Sequence, residues 1–281
     1  MPAGRAWCRE GALTSSDGLR LYYRERLFPA APAHIVLVHG VAEHCGRYLG
    51  FEEFFAAHGL GVSSMDLRGH GQSEGRRVWV PSFDSYLEDL DTFLGHVRSH
   101  SPVVFLVGHS LGGLIALRYA ETRRCSLQGL ILSGAALEPA ITPPRPVVWL
   151  LRQLNRLSSA TPVPGLVRPG QLSRDPAVVR RYETDPLIPG HLTTGLGLAT
   201  LEAARAGLAD AAQVAVPTLV LHGGDDSVVK PDGSAELFSR LRISDKQLNV
   251  YPDLYHEVFN EPEREDVLSD VLEWVRKRVL A

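Results

Sequence analysis

The segment VVFLVGHSLGG, residues 103–113, is the strongest indication of the fold class of this chain. Five apolar residues lead into Gly108, and a helical pattern begins at Leu111. A serine in the pattern G-x-S-x-G at such a junction lies on a sharp turn from strand to helix, where its hydroxyl is exposed. Glycines flank the turn because a Cβ there would collide with the neighbouring strand or helix. The segment therefore predicts Ser110 as a nucleophile at the carboxyl end of a buried strand.

Apolar runs alternate with amphipathic stretches on both sides of this segment. The pattern predicts strands at 34–39, 61–66, 103–107, 128–133, 217–222 and 247–251, and helices at 51–58, 82–99, 111–121, 231–241 and 263–280. Strands that are apolar on both faces and alternate with helices are typical of a parallel sheet covered on both sides. We predict an α/β fold with a mostly parallel central sheet flanked by helices.

The alternation stops between residues 137 and 213. Ten of the 19 prolines lie within 139–189, and proline interrupts both helices and strands. One helical piece is predicted within this stretch, at 147–158. The sequence thus indicates a core formed by residues 1–136 and 214–281, with residues 137–213 inserted as a cap.

Composition narrows the function classes. The chain of 281 residues is 44% apolar with a formal net charge of −3, which disfavours nucleic-acid binding because that needs a basic surface. Cys8, Cys45 and Cys125 are odd in number and scattered, so they predict neither a disulfide framework nor a zinc site. Residues 1–12 lack a signal-peptide pattern, and no apolar run reaches the roughly 18 residues of a membrane span. We expect a cytoplasmic protein.

A serine nucleophile needs a base and an orienting acid. His256 lies between the last predicted strand and the last helix, at the sheet edge where sites collect. It is also third in the chain order serine, acid, histidine that this kind of turn accompanies. The acid should follow the strand that ends at His222. Asp225 and Asp226 both qualify, and spacing alone does not choose between them.

Four segments together carry a family resemblance: HGVAEHCGRY at 39–48, DLRGHGQSEG at 66–75, GHSLGG at 108–113 and YETDPL at 182–187. In these segments the chain resembles the monoacylglycerol lipase family of α/β-hydrolases. The resemblance implies the α/β-hydrolase fold with a cap over the site. It also implies a serine esterase of lipid degradation that cleaves monoacylglycerol to fatty acid and glycerol through an acyl-enzyme, without a cofactor.

The resemblance also assigns roles to residues. It implies a catalytic triad of Ser110, His256 and Asp226, the aspartate being the third residue after Gly223. It implies an oxyanion hole formed by the backbone N–H groups of Val41 and Leu111. A further set is implied at the substrate side, where two residues support the oxyanion loop and one lies near the alcohol pocket: Glu43, Arg47 and Tyr182.

Other functions remain open from the sequence. A lysophospholipase or a general carboxylesterase would use the same triad, and a ligand-binding protein could keep the fold without the chemistry. A metal site at His39, Glu43 and His44 is not expected, because the five-residue spacing does not place both histidines on one helical face.

The cap offers one clue to the partner. Five arginines and no acidic residue lie between Glu138 and Asp175: Arg145, Arg152, Arg156, Arg168 and Arg174. Beside the apolar residues of 147–157, they form a basic amphipathic element. Either this element contacts a membrane or micelle that holds a lipid monoester, or its apolar face roofs the acyl pocket while the arginines are solvated.

Overall fold

The strand that carries the predicted nucleophile lies inside an eight-stranded sheet. The computed structural model of the chain describes residues 7–28, 31–123, 126–141, 144–164 and 167–279. The strands of the large sheet are β1 (Trp7–Thr14), β2 (Arg20–Leu27), β3 (His34–Val38), β4 (Gly61–Met65), β5 (Val104–His109), β6 (Gly129–Ser133), β9 (Thr218–Gly223) and β10 (Lys246–Tyr251). Two short strands, β7 (Pro162–Pro164) and β8 (His191–Thr193), pair separately.

The sheet order is β1-β2-β4-β3-β5-β6-β9-β10. From β4 to β10 neighbouring strands are parallel, whereas β1 and β2 form an antiparallel ribbon at one edge. All residues of β3, β4, β5, β6 and β9 are buried. The predicted α/β fold with a mostly parallel sheet is confirmed, and the antiparallel ribbon is an addition to it.

Helices cover both faces of this sheet. The helices of the described chain are α1 (Leu49–Ala57), α2 (Asp84–Arg98), α3 (Leu111–Thr122), α4 (Arg145–Leu157), α5 (Pro176–Thr184), α6 (Thr194–Asp210), α7 (Pro231–Arg240) and α8 (Arg264–Val279), and all but α4 and α5 pack against the sheet. One hydrophobic cluster joins the sheet to α2, α3, α6 and α7, and a second joins it to α1 and α8. Apolar strand residues therefore meet a helix layer on either side, as a fully buried parallel sheet requires.

The segment proposed as a cap contains α4, the β7–β8 ribbon, α5 and α6. Its last helix, α6, packs on α3, and Ala203 and Ala204 belong to the main hydrophobic cluster. By contrast, α4 has no buried residue. The division into a core of 1–136 and 214–281 and a cap of 137–213 remains our proposal, with α6 as the part of the cap that is anchored in the core.

The helices and the cysteines bear on the cellular location expected from the sequence. No helix within the described part of the chain combines the length and the apolar character that crossing a bilayer needs. Cys8 is exposed and Cys45 is buried, both as free thiols, whereas Cys125, the residues before Trp7 and those after Val279 lie outside the described ranges.

Candidate active site

Ser110 joins β5 to α3 in a strained backbone conformation. Its φ is 52° and its ψ is −117°, a backbone conformation that residues other than glycine rarely adopt. Such a residue costs on the order of 1–3 kcal/mol and persists only where the surroundings fix it. Here its N–H donates to the Ser133 carbonyl at 2.9 Å, and its own carbonyl accepts from Leu114 and Ala136 at 3.0 Å each. The turn is therefore held by both neighbouring segments.

The glycines of the turn are explained by close backbone approaches. A Cβ on Gly112 would collide with the carbonyl oxygens of Val38 and His39, and a Cβ on Gly108 would collide with the carbonyl of Gly112. These contacts bring the end of β3 against the start of α3. The two predicted oxyanion donors, which follow β3 and Ser110, thus lie on segments that touch.

His256 lies on the loop between β10 and α8, with its Nδ1 2.6 Å from Oδ2 of Asp226. The other oxygen of Asp226 accepts from the N–H groups of Val228 and Val229 at 2.8 and 2.9 Å. Asp226 is buried, whereas Asp225 is exposed. Of the two aspartates that spacing left open, Asp226 is the one that contacts the imidazole.

Electrostatics of this pair suit an orienting acid and a base. Burial opposes ionisation of His256, but the Asp226 carboxylate outweighs burial and raises the pKa of the imidazole above its ordinary value. Burial likewise acts to raise the pKa of Asp226, yet the attraction of His256 and its hydrogen bonds lower that pKa below its ordinary value. Asp226 therefore stays ionised, which holds the imidazole in one tautomer and favours its protonated form.

The loop after β3 presents Val41. Ala42, next in the chain, has a positive φ of 54°, so this loop is strained like the serine turn. Within the described residues, neither the Val41 N–H nor the Leu111 N–H donates to a protein group. Leu111 is also the first residue of α3, where the helix carries partial positive charge. Both N–H groups are available to a ligand oxygen.

A buried ion network supports this loop. The carboxylate of Glu43 accepts from the Gly40 N–H, from the Tyr48 hydroxyl at 2.8 Å and from Arg47 at 2.6 Å. Arg47 also donates to both oxygens of Glu257, at 2.6 and 2.8 Å. Burial acts against ionisation of both Arg47 and Glu257, but their attraction for each other is stronger. The pKa of Arg47 is therefore raised and that of Glu257 is lowered. The oxyanion loop and the histidine loop are thus tied together.

The predicted residues surround a small cavity. Ser110 and His256 line a space of about 20 Å³ with four other residues named by the sequence, Val41, Glu43, Arg47 and Tyr182. Leu111 and Asp226 lie outside this lining, at the start of α3 and behind the imidazole. The ring of Tyr182 lies under the Arg47 guanidinium at 4.9 Å, and burial raises the pKa of its hydroxyl to about 12.

A larger cavity of about 340 Å³ shares Val41, Val167 and Tyr182 with the small one. Apolar residues of the cap extend it, including Ile188, Pro189 and Leu192. A ligand that reaches Ser110 can therefore place an apolar chain between the oxyanion loop and the cap.

Two charged or titratable residues of the site, Glu257 and His109, were missed by the sequence reasoning. Glu257 follows His256 directly, and its N–H donates to the carbonyl of Leu172 in the cap at 2.8 Å. The His109 ring lies 4.7 Å from the His256 ring, and burial lowers its pKa to about 3. His109 is therefore neutral and does not compete as a second base. Of the two, only Glu257 could have been found from the sequence, because it is an acidic residue next to the predicted base.

The histidines near the oxyanion loop have separate partners. His39 Nδ1 lies 2.7 Å from the Gly40 carbonyl, and its Nε2 accepts from the Leu67 N–H at 3.0 Å. His44 Nε2 lies 2.9 Å from the carboxylate of Asp185, in the cap. The two imidazoles thus fix different segments, one inside the core and one between core and cap.

Comparisons with known proteins cover nearly the whole chain. The family model described as Hydrolase_4, serine aminopeptidase, S33, matches residues 29–263. A monoacylglycerol lipase of Mycolicibacterium smegmatis is 37% identical, over 86% of this chain and 87% of that protein. A phospholipase of Bacillus subtilis is 31% identical, over 84% of this chain and 92% of that protein. The solved structure of a monoacylglycerol lipase of Paleococcus ferrophilus has a TM-score of 0.82 and 31% identity, covering 98% of this chain and 99% of that one.

Proposed function

This chain belongs to the serine aminopeptidase S33 family, with monoacylglycerol lipases among its relatives, and from that premise we propose that Ser110 cleaves monoacylglycerol to fatty acid and glycerol. The chain is a carboxylic ester hydrolase of the α/β-hydrolase fold. The observation that carries the proposal is the strained Ser110 turn facing the same cavity as His256, whose imidazole is held by Asp226.

The reaction follows from this arrangement in two steps. His256 Nε2 accepts the Ser110 hydroxyl proton while the oxygen attacks the ester carbonyl carbon, and the N–H groups of Val41 and Leu111 bind the resulting oxyanion. The tetrahedral intermediate then collapses, the bond to the glycerol oxygen breaks, and His256 returns the proton to that oxygen. Water repeats the sequence on the acyl-enzyme and releases the fatty acid. The residues named supply every proton transfer, so no cofactor enters the scheme.

Glu43 and Arg47 act in this proposal as positioning residues. Their charged groups are occupied by protein partners, so they hold the oxyanion loop rather than the substrate. Tyr182 faces the cavity, and its raised pKa keeps the hydroxyl protonated. We assign it to the alcohol side, where it donates a hydrogen bond to a glycerol oxygen.

The charges of the lining favour a neutral alcohol over a phosphate. The described residues that line the two cavities include one arginine, Arg47, and its guanidinium is already paired with the carboxylates of Glu43 and Glu257. Arg174 of the cap is bonded to Glu261 and Glu263, and Arg145, Arg152 and Arg156 lie on α4 outside both linings. A lysophospholipid would bring a phosphate without a free cation to receive it. The phospholipase relative keeps that substrate as the alternative to be tested.

The outer side of α4 supports a second part of the proposal, contact with a lipid surface. Trp149 is 63% exposed, Leu150 51% and Leu157 86%, and none of them lines the two cavities. Arginines of the same helix flank this apolar surface. Basic helices with an exposed apolar side lie in membrane interfaces, where arginine meets lipid headgroups. We propose that α4 rests on the membrane from which the cap takes its substrate, which would give a cytoplasmic enzyme a peripheral membrane location.

One assay separates these substrates. Hydrolysis of mono-, di- and triacylglycerol, lysophosphatidylcholine and p-nitrophenyl esters of increasing chain length is compared at equal enzyme concentration, with Ser110→Ala as the control. We expect the highest kcat/KM for monoacylglycerol and no turnover by Ser110→Ala. Dominant turnover of lysophosphatidylcholine would replace monoacylglycerol by the phospholipid. Turnover of short p-nitrophenyl esters alone would leave a carboxylesterase.

A fluorophosphonate probe tests the remaining, non-enzymatic alternative. It labels a serine only where a base activates the hydroxyl, so we expect labelling of the wild type and none of Ser110→Ala. A folded wild-type protein that resists the probe and hydrolyses no ester would be a ligand-binding protein on the hydrolase fold.

A further inference from the structure

Two histidines and a buried glutamate meet far from the serine turn. Glu25 lies on β2, and His96 and His100 lie on the last turn of α2 and in the turn after it. One carboxylate oxygen and one nitrogen from each imidazole all lie within 4.8 Å of one another. The histidines precede β5 and Ser110 follows it, so the cluster lies toward the opposite end of the sheet.

The distances suit a single metal ion. Oε1 of Glu25 lies 3.2 Å from Nε2 of His96 and 3.5 Å from Nε2 of His100. A tetrahedral Zn²⁺ ion with ligand bonds of about 2.0–2.1 Å has ligand atoms about 3.3–3.4 Å apart. The four-residue spacing, across the end of α2 and the turn that continues it, brings the two imidazoles together.

Two atoms of the cluster are buried without a hydrogen-bond partner, Oε2 of Glu25 and Nε2 of His96. The Glu25 side chain has no solvent exposure, and the nearest cation to its Oε2 is Nε of Arg9, at 3.8 Å, too far for a hydrogen bond. Buried polar atoms without partners are rare, because an atom that loses its hydrogen bond to water and gains none in the protein costs free energy. A cation between the carboxylate and the imidazoles would bind the Nε2 atom of His96 and add to the compensation that Arg9 gives the buried carboxylate.

The surroundings orient these ligands. The Ser63 hydroxyl donates to Oε1 of Glu25 at 3.0 Å, and His34 Nε2 lies 2.7 Å from the same hydroxyl. Partners of this kind fix the orientation of metal ligands. His100 is partly exposed, which leaves one side of the cluster open to water.

We propose that Glu25, His96 and His100 form a binding site for Zn²⁺ or a similar divalent transition metal. Imidazole and carboxylate ligands suit zinc, and three protein ligands leave one position for water. The ion joins β2, in the ribbon at the sheet edge, to the end of α2. Its role is structural and independent of ester hydrolysis.

Isothermal titration of the metal-free full chain with ZnCl₂ tests the site. The wild type and His58→Gln, an exposed histidine outside the cluster, are expected to bind one equivalent and to unfold at a higher temperature with zinc. His96→Gln and Glu25→Gln are expected to lose that equivalent and the temperature shift. Co²⁺ bound to the unmodified wild type provides a reading that needs no variant, because four-coordinate Co²⁺ gives intense visible absorption bands and six-coordinate Co²⁺ weak ones.

Three results would overturn the proposal. One is zinc binding that His96→Gln leaves unchanged. Another is the absence of a stoichiometric equivalent in the wild type, and the third is a six-coordinate Co²⁺ spectrum. Zinc held by His256 would block ester hydrolysis and survive in His96→Gln, so activity measured in parallel identifies binding at the catalytic histidine.

Discussion

Arg47 and Glu257 are 210 residues apart in the sequence and share two hydrogen bonds of 2.6 and 2.8 Å. Arg47 belongs to the segment that supports the oxyanion loop, and Glu257 follows the proposed base. Their contact makes the loop that receives negative charge and the loop that moves the proton one structural unit. Breaking the contact between Arg47 and Glu257 should therefore lower both the stability and the catalytic rate.

Arg47→Met removes the cation between two buried carboxylates. Breaking a buried ion pair from one side typically costs about 3–5 kcal/mol, because the remaining charge is uncompensated. We expect a loss of that size in the free energy of unfolding, measured by urea denaturation, and a lower kcat on p-nitrophenyl butyrate. Arg205→Met, which changes an exposed arginine, should alter stability by less than about 0.5 kcal/mol. Equal effects of the two substitutions would contradict a structural role for the network.

Asp226→Asn separates the two candidate acids. Loss of the carboxylate that orients the base lowers kcat by roughly 10⁴-fold in serine hydrolases that use this triad. We expect a loss of this order for Asp226→Asn and almost none for the exposed neighbour in Asp225→Asn. Comparable activity of both variants would exclude Asp226 as the acid.

The pH profile of kcat/KM provides an independent reading of the same pair. The base acts only when neutral, so activity falls as the pH drops below the pKa of His256. Asp226 raises that pKa above its ordinary value of 6.5, and we expect the acidic limb of the wild type above 6.5. In Asp226→Asn burial acts without the carboxylate, so the limb should move to lower pH. A limb that stays in place would mean that another group titrates.

Ser110→Gly tests the strain in the serine turn. Glycine adopts a positive φ without steric cost, whereas Ser110→Ala keeps the Cβ that causes the strain. We expect Ser110→Gly to be more stable than Ser110→Ala by about 1 kcal/mol, after the entropic cost of glycine. Ser239 in α7 is the control, since glycine in a helix is less stable than alanine. If glycine were the less stable variant at both positions, the turn would store no strain.

Trp149→Glu combined with Leu150→Glu tests the proposed lipid contact of α4. Burial of each side chain contributes about 1.5–3 kcal/mol, and about 1.4 kcal/mol corresponds to tenfold in binding. We expect at least a tenfold loss of activity on monoacylglycerol in vesicles and unchanged hydrolysis of soluble p-nitrophenyl acetate. Trp7→Glu, at an exposed tryptophan on β1, should leave both unchanged. Unaltered vesicle activity in the folded double variant would exclude the contact.

The core of the fold was predictable because its signals are local. Buried strands such as β3 and β5 are continuous apolar runs, and the glycines of the G-x-S-x-G pattern indicate the serine turn. Neither β1 nor β2 was predicted. Most residues of β1 are exposed, and the two strands form an antiparallel ribbon whose place depends on long-range pairing with β4. The cap helix α6 was also missed, because its apolar residues are spread around the helix.

The site was predictable only in part for a related reason. Ser110 and His256 follow from strand ends, but the choice of Asp226 over Asp225 needed the family resemblance or the structure. Nothing in spacing pairs Arg47 with Glu257, because the chain between them builds most of the sheet. Glu25 on β2 and the histidines at and just after the end of α2 are likewise brought together by the fold and not by their spacing in the sequence.

The space of about 20 Å³ above Ser110 bears on which molecule receives the acyl group. A single water needs roughly 10–15 Å³ of such space, so the volume beside the Ser110 and His256 side chains has room for one water. Once the first alcohol has left, a water in this space would lie beside His256, the base that takes its proton. The tight fit thereby favours water over a bulkier second alcohol as the acceptor of the acyl group.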